Sequence, residues 1–270
     1  MNSSKKYSWR NRRQYVSHGR MAWYGQSSDE QYWYNYWKAR LNSAYYAAAQ
    51  QRDLAHDELG KVLLKEMHPD GLHLEAGCGA GYWVAALTYK ELRVEGIEYA
   101  QNLVDLVHSV NPQLPVGRGD ALNIARPDNY YDTYLSFGVV EHRIEGPAPF
   151  LCEAYRVLKP GGKILISVPF FGPIRMLKNR LSLYDSKQPE LPFFQYGFSR
   201  KEFTAYLEQA GFSIEDVRIL YVDRLLIEEL PLYRWLTFQR RSKLVKKWAE
   251  ELLENRDGHM LLVIGRKPGS

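Results

Sequence analysis

The sequence predicts an α/β fold built on a doubly wound, mostly parallel sheet, and three observations lead there. Residues 72–87 read LHLEAGCGAGYWVAAL: a short apolar run closed by an acid, glycines at alternate positions, then a helix-compatible stretch. Strand-like and helix-like segments then alternate to residue 168, as when helices cover both faces of a parallel sheet. The helical segments carry apolar residues at helical spacing and stop at proline or glycine. Leu103, Leu106, Val107 and Val110 precede Asn111-Pro112, and Phe150, Leu151, Ala154, Val157 and Leu158 precede Pro160-Gly161-Gly162.

Taken in order, residues 1–27 are basic, polar and aromatic without periodicity and read as a tail, ordered only where it docks on the body. A helix is predicted from Ser28, with Ser28 and Gln31 at capping-box spacing, carrying Tyr32, Trp33, Tyr34, Tyr36, Trp37, Tyr45 and Tyr46. A second helical stretch, Asp53 to Met67, leads through the turn Pro69-Asp70-Gly71 into the first strand. Arg93 to Ile97 forms the next strand, closing on Glu98, and a short strand follows around Pro115 to Arg118. YYDTYLSF supplies the fourth strand and KILISVP the fifth, entered through a Pro160-Gly161-Gly162 turn. Phe171 to Phe198 reads as an irregular, partly basic insertion. Ser199 and Glu202 open a helix that ends at Gly211. Val217 to Val222 and Met260 to Arg266 are the last strands, separated by a helical insertion, Asp223 to Asp257. A single domain, 28–270, follows, with a ligand-binding core over 67–170 and substrate-cap insertions at 171–198 and 223–257.

Composition narrows the partners. The 270 residues carry a formal charge of +5, but Lys5, Lys6, Arg10, Arg12, Arg13 and Arg20 precede the first acid, Asp29, which leaves the remainder at −1. A later cluster, Arg240, Arg241, Lys243, Lys246 and Lys247, runs into Glu250, Glu251 and Glu254 and reads as a solvated helix of mixed charge. No broad nucleic-acid face is expected, although the basic tail could touch RNA phosphates or an anionic membrane surface. No apolar stretch approaches the ~18 residues of a membrane span, and no secretory segment is evident, so a cytoplasmic location is expected. Cys78 and Cys152 are read as free thiols.

The glycine loop points to a small-ligand site. Glycine lets the backbone approach a bound molecule, and the following helix aims unpaired N–H groups into the same space. A dinucleotide fingerprint, G-x-G-x-x-G, fails here because its third place, counted from Gly77, is Tyr82. What stands instead is Glu75-x-Gly77-x-Gly79-x-Gly81, followed by Glu98 at the end of the second strand and Gly119-Asp120-Ala121 after the third.

This series resembles the motifs of class I S-adenosylmethionine-dependent methyltransferases, and the match runs over about Met67 to Val168. The resemblance implies a seven-stranded Rossmann-like methyltransferase fold whose last strand is antiparallel, with S-adenosyl-L-methionine as cofactor. It assigns cofactor contact to Gly77, Cys78, Gly79 and Gly81. Glu75 steadies the loop or meets the cofactor's ammonium, Glu98 accepts from the ribose hydroxyls, Asp120 and the Ala121 backbone serve the adenine, and Tyr99 and Phe137 pack nearby. The plain alternatives are a ligand-free turn for the glycines, a helix cap for Glu98, a turn cap for Asp120 and core packing for Tyr82 and Tyr99. In such proteins the segment Ser136 to His142 borders the reacting half of the cofactor, which makes His142 the candidate general base; the alternative is that it packs or caps the next helix.

Absences narrow the acceptor. No Asp/Asn-Pro-Pro-aromatic segment or cysteine follows the fourth strand, so DNA-base chemistry is not expected, and no acid cluster suggests a metal. The expected function is methyl transfer to a small-molecule or glycan-type acceptor, at oxygen. The alternatives are a tRNA or rRNA methyltransferase using the basic tail and aromatic helix, and a non-catalytic S-adenosylmethionine-binding partner protein.

Overall fold

A computed structural model describes residues 13–17, 19–238 and 242–269. The chain begins with a hairpin, β1 (Arg13–Ser17) and β2 (Arg20–Tyr24), followed by α1 (Glu30–Lys38), α2 (Ser43–Gln50) and α3 (Glu58–Glu66). Strands and helices then alternate: β3 (Leu72–Ala76), α4 (Tyr82–Thr88), β4 (Arg93–Glu98), α5 (Gln101–Val110), β5 (Val116–Arg118), β6 (Tyr131–Phe137), α6 (Ala148–Val157) and β7 (Leu158–Pro169). After these come α7 (Pro173–Arg180), β8 (Phe193–Gly197), α8 (Arg200–Gln209), β9 (Ser213–Leu220), α9 (Val222–Glu229), α10 (Pro231–Phe238), α11 (Ser242–Leu253) and β10 (Met260–Arg266).

Among the described residues seven strands form the central sheet, in the order β5-β4-β3-β6-β7-β10-β9. Its first five strands pair in parallel, and β10 runs antiparallel to both β7 and β9. Successive strand residues feed opposite faces. Leu165 joins the layer under α3, α4 and α5, while its neighbours Ile164 and Ile166 join the layer under α6 and α8. Strand order reverses between β3 and β4 on one side and β6 on the other, so a crevice opens at their carboxyl ends.

Several expectations need correction. Residues 13–24 of the segment read as a tail are docked: β2 pairs antiparallel with β1 and with β8, forming a separate three-stranded sheet. Within it Arg13 forms an ion pair with Asp185, and Arg20 donates to Glu202 at 2.6 Å. Lys5, Lys6, Arg10 and Arg12 lie outside the described residues. The first helix is capped by Asp29, not Ser28, because the Asp29 carboxylate accepts from the Tyr32 N–H at 2.8 Å. That aromatic helix is also two helices, the second capped by Asn42. The stretch from Asp53 becomes helical only after its cap at Asp57. Pro160-Gly161-Gly162 is a bulge within β7 and not a turn before it: Tyr131 pairs with Leu158 but Thr133 with Lys163. The insertion 171–198 is ordered as α7 and β8, and Val222 starts α9 instead of ending β9. Ser199 caps α8 as read, accepting from the Glu202 N–H at 3.2 Å, but the box is not closed because the Glu202 carboxylate turns to Arg20; the helical nature of 223–257 and the bounds of β10 match the reading.

Candidate functional site: a glycine loop between buried carboxylates

The loop from β3 to α4 holds Gly77, Gly79 and Gly81 at φ of 74°, 55° and 68°. Non-glycine residues rarely adopt that region. Space also demands glycine. A Cβ on Gly77 would lie 2.6 Å from the Val139 side chain, and one on Gly79 would lie 2.7 Å from the Trp37 indole nitrogen. The loop is anchored by the Gly77 and Cys78 N–H groups, both donating to the Ile97 carbonyl of β4 at 2.9 and 3.0 Å.

Two acids bracket this loop. Glu98, at the end of β4, accepts from the Gly79 N–H at 3.2 Å with one oxygen and from the Ala100 N–H at 3.0 Å with the other. It thereby ties the loop to the start of α5. Glu75 accepts from the Val84 N–H at 3.1 Å, one of the N–H groups in the first turn of α4 that have no helical partner. Burial pushes the Glu98 carboxyl above its ordinary value and Glu75 up to about 8. Burial likewise raises the Cys78 thiol well above its ordinary range, so it is an inert wall.

These groups line a cavity of about 630 Å³ at the carboxyl ends of β3, β4 and β6. Glu75, Gly77, Cys78, Gly79, Glu98, Tyr99, Asp120, Ala121, Phe137 and His142 all face it. Gly81 does not: it starts α4, and a Cβ there would meet Leu114 and Val116. Asp120 accepts from the Leu122 N–H at 2.9 Å, which folds the turn after β5. The Tyr99 hydroxyl donates to the Ser28 carbonyl at 3.4 Å and bridges to the segment before α1.

The aromatic run on α1 is compatible with packing or with covering a bound cofactor, and Trp33 and Trp37 both line the cavity, together with Tyr45 and Trp83. Their spacing of four residues puts both indoles on one face of α1, a signal present in the sequence. Trp37 covers Gly79, and Trp33 stands edge-on to the His142 ring at 5.0 Å between centroids.

His142 ends a 3-10 turn, Val140–His142, that follows β6. Its Nδ1 lies 2.8 Å from the Phe194 carbonyl of β8. A carbonyl only accepts, so in the neutral ring Nδ1 carries the proton and Nε2 is the basic nitrogen. Glu141 Oε1 lies 4.0 Å from Nε2, and burial raises this carboxyl to about 8. Among the described residues no group of three or more His, Cys, Asp or Glu side chains could hold a metal ion.

Residues 74–166 match the family described as a methyltransferase domain. Over 183 residues the chain is 33% identical to a Mycolicibacterium smegmatis protein described as a probable S-adenosylmethionine-dependent methyltransferase, covering 67% of this chain and 61% of that protein. It is 32% identical over 142 residues to the malonyl-[acyl-carrier protein] O-methyltransferase of Serratia marcescens, covering 53% of this chain and 54% of the relative. The chain thus spans just over half the length of these two relatives. A solved S-adenosylmethionine-dependent methyltransferase from Thermotoga maritima shares the fold, with a TM-score of 0.50 and 18% identity over 88% of this chain and 97% of that one. The glycine cradle fits the cofactor such proteins use, since its backbone can approach a ligand closely and its carboxylates suit hydroxyl donors and positive charge. Residues 74–166 thus carry a methyltransferase domain, and the fold around them is the one shared with S-adenosylmethionine-dependent methyltransferases.

Proposed function

We propose that the protein transfers a methyl group from S-adenosyl-L-methionine to a hydroxyl of a small-molecule or glycan-type acceptor. The observation that carries this reading is the pairing of Glu98 with the glycine loop. Both Glu98 oxygens are held by backbone N–H groups at the cavity wall, and each keeps lone-pair capacity for a ribose hydroxyl. When bound, the cofactor supplies an activated methyl on a positively charged sulfur. Glu75 offers a counter-charge within the cavity, Asp120 and the Ala121 backbone meet the base, and the indoles of Trp33 and Trp37 exclude water while presenting π-faces to a cation. Aligning acceptor and methyl in such an enclosure supplies roughly 7–11 kcal/mol of the barrier. His142 takes the acceptor proton on Nε2, with its tautomer set by the Phe194 carbonyl and the Glu141 carboxyl beside the imidazolium that forms.

Of the six basic residues behind the nucleic-acid alternative, Arg13 and Arg20 are engaged by Asp185 and Glu202, and the other four lie outside the described residues. Calorimetric titration with S-adenosylhomocysteine tests the main reading. Glu98→Ala should weaken binding about 10–100-fold, as loss of hydrogen bonds to a charged group does. His142→Ala should leave that affinity intact and slow methylation of a hydroxyl acceptor about 10²–10⁴-fold. Equal affinity in wild type and Glu98→Ala would remove the cradle, and an unchanged rate would remove the base.

A further inference from the structure

Glu141 is an acid that the fold itself does not use. It stands in the 3-10 turn after β6, 2% exposed, and its Oε2 is buried with no hydrogen-bond partner among the described residues. Buried side-chain oxygens rarely lack one. Glu75 and Glu98, buried as deeply, accept from backbone N–H groups, and Glu229 accepts from Arg175 and Lys178. An apolar side chain would fill the place of Glu141 without stranding an oxygen, so packing does not account for the carboxyl.

Its other oxygen points to the use. Oε1 lies 4.0 Å from His142 Nε2, and a Cβ on Gly138 would stand 3.6 Å from the same atom, so this end of the carboxyl backs the cavity wall that Gly138 and His142 form. The Phe194 carbonyl occupies the Nδ1 side of the ring, and the rings of Trp33 and Phe194 stand edge-on to it at 5.0 and 4.8 Å. A positive charge on His142 would thus be walled by apolar rings, with a carboxyl at Nε2. The other charged groups around the turn are engaged or belong to α1. Lys159 and Lys163 of β7 pair with Asp132 and Glu66, Arg143 pairs with Glu145, and the Tyr196 hydroxyl of β8 donates to the Ile144 carbonyl. Asp29 caps α1, which carries Glu30 and Lys38. Burial raises the Glu141 carboxyl to about 8, with its own backbone N–H acting the other way.

We propose that Glu141 is the positioning residue that makes His142 an effective base: as a carboxylate it holds the imidazolium formed when an acceptor hydroxyl gives up its proton, and as a neutral acid it does not. On the reading of His142 as base, the acceptor O–H bond breaks, the Nε2–H bond forms, and the electron pair stays on the acceptor oxygen for the methyl carbon. One positive charge then appears on the ring beside Oε1, and an ionised carboxyl within that distance favours it. At neutral pH Glu141 keeps its proton, so the stronger base is the minority form and grows as pH rises through about 8.

The test is nitrogen NMR of the full chain, labelled at histidine and saturated with S-adenosylhomocysteine, so that no acceptor is needed. The His142 Nε2 resonance, assigned from its loss in His142→Gln, should move in two stages in wild type, the later one centred near pH 8. Only the earlier stage should remain in Glu141→Gln, while Glu75→Gln should keep both. Glutamine copies the neutral acid in shape, so a purely structural role would leave wild type and Glu141→Gln alike at every pH. With the hydroxyl acceptor on which His142→Ala is assayed, wild type should outpace Glu141→Gln about tenfold at about pH 9 and match it at about pH 6.5. A single-stage titration in wild type, a later stage that survives Glu141→Gln or vanishes in Glu75→Gln, or rates that run parallel across the range overturns the part given to Glu141. An unslowed His142→Ala removes the base itself, and this part with it.

Discussion

Glu75 and Glu98 beside the cavity and Glu229 in the cap are buried to the same degree, at 4%, 5% and 4% exposure, yet they are held in opposite ways. Among the described residues the cavity acids meet backbone N–H groups and no cation, and burial drives their carboxyls upward. Burial pushes Glu229 the same way. There, however, the fully buried Arg175 guanidinium donates to it at 2.8 Å, Lys178 at 2.6 Å, and the net effect holds the carboxyl below its ordinary range. Arg175 also donates to the Phe170 carbonyl at 2.6 Å and lies over the Trp23 ring, tying α7 and α9 to the end of β7 and to the side sheet. A buried charge with an internal counter-ion is a fastening of the fold, whereas buried carboxylates left without one suit a positively charged visitor.

That contrast can be broken by substitution. The largest effect is expected for Arg175→Met, which leaves Glu229 short of its main counter-ion: about 3–5 kcal/mol of stability should be lost in guanidinium unfolding, with little change in S-adenosylhomocysteine affinity for the folded fraction. Lost affinity with unchanged stability would reverse the assignment of roles.

Glu75→Gln probes the other side through pH. Because the folded carboxyl titrates near 8 and an ordinary one near 4.5, the contribution of Glu75 to stability is fully present below about 4.5 and is lost as pH rises through about 8. Ligand-free wild type should therefore lose stability across that window, and Glu75→Gln should flatten the slope by up to about 1.4 kcal/mol per pH unit. Glu141 shares the window, so part of the slope should survive. An unaltered slope would mean that Glu75 already has a counter-charge. The smallest effect belongs to Lys178→Met, which removes the outer of the two cations on Glu229 and should cost about 1 kcal/mol because Arg175 stays in place.

The cradle was legible in the sequence because its signals are local. Gly77 and Gly79 announce positive φ by composition, Glu75 and Glu98 announce strand ends, and the helix after each strand carries its own apolar spacing. What escaped was information held by distant partners. β1 and β2 flank Gly19, which has a φ of 77°, and each is rich in strand-favouring residues, but the strand that completes their sheet lies near residue 195 and nothing local names it. The same holds for Trp37, which stands in a dense run of aromatics. Its contact with Gly79 becomes visible only once α1 lies across the loop. Gly81 shows the converse: it belongs to the motif by spacing, but its backbone serves the start of α4 and its own Cα faces β5.

The pairing of Met21 with Gly197 also orders events during synthesis. The parallel strands β3 to β7 are complete once residue 169 has emerged, but the hairpin at the front of the chain must wait for β8 before its sheet can close. Because the His142 ring is oriented by the Phe194 carbonyl of that late strand, the nascent protein acquires its cradle first and the alignment of His142 only afterwards.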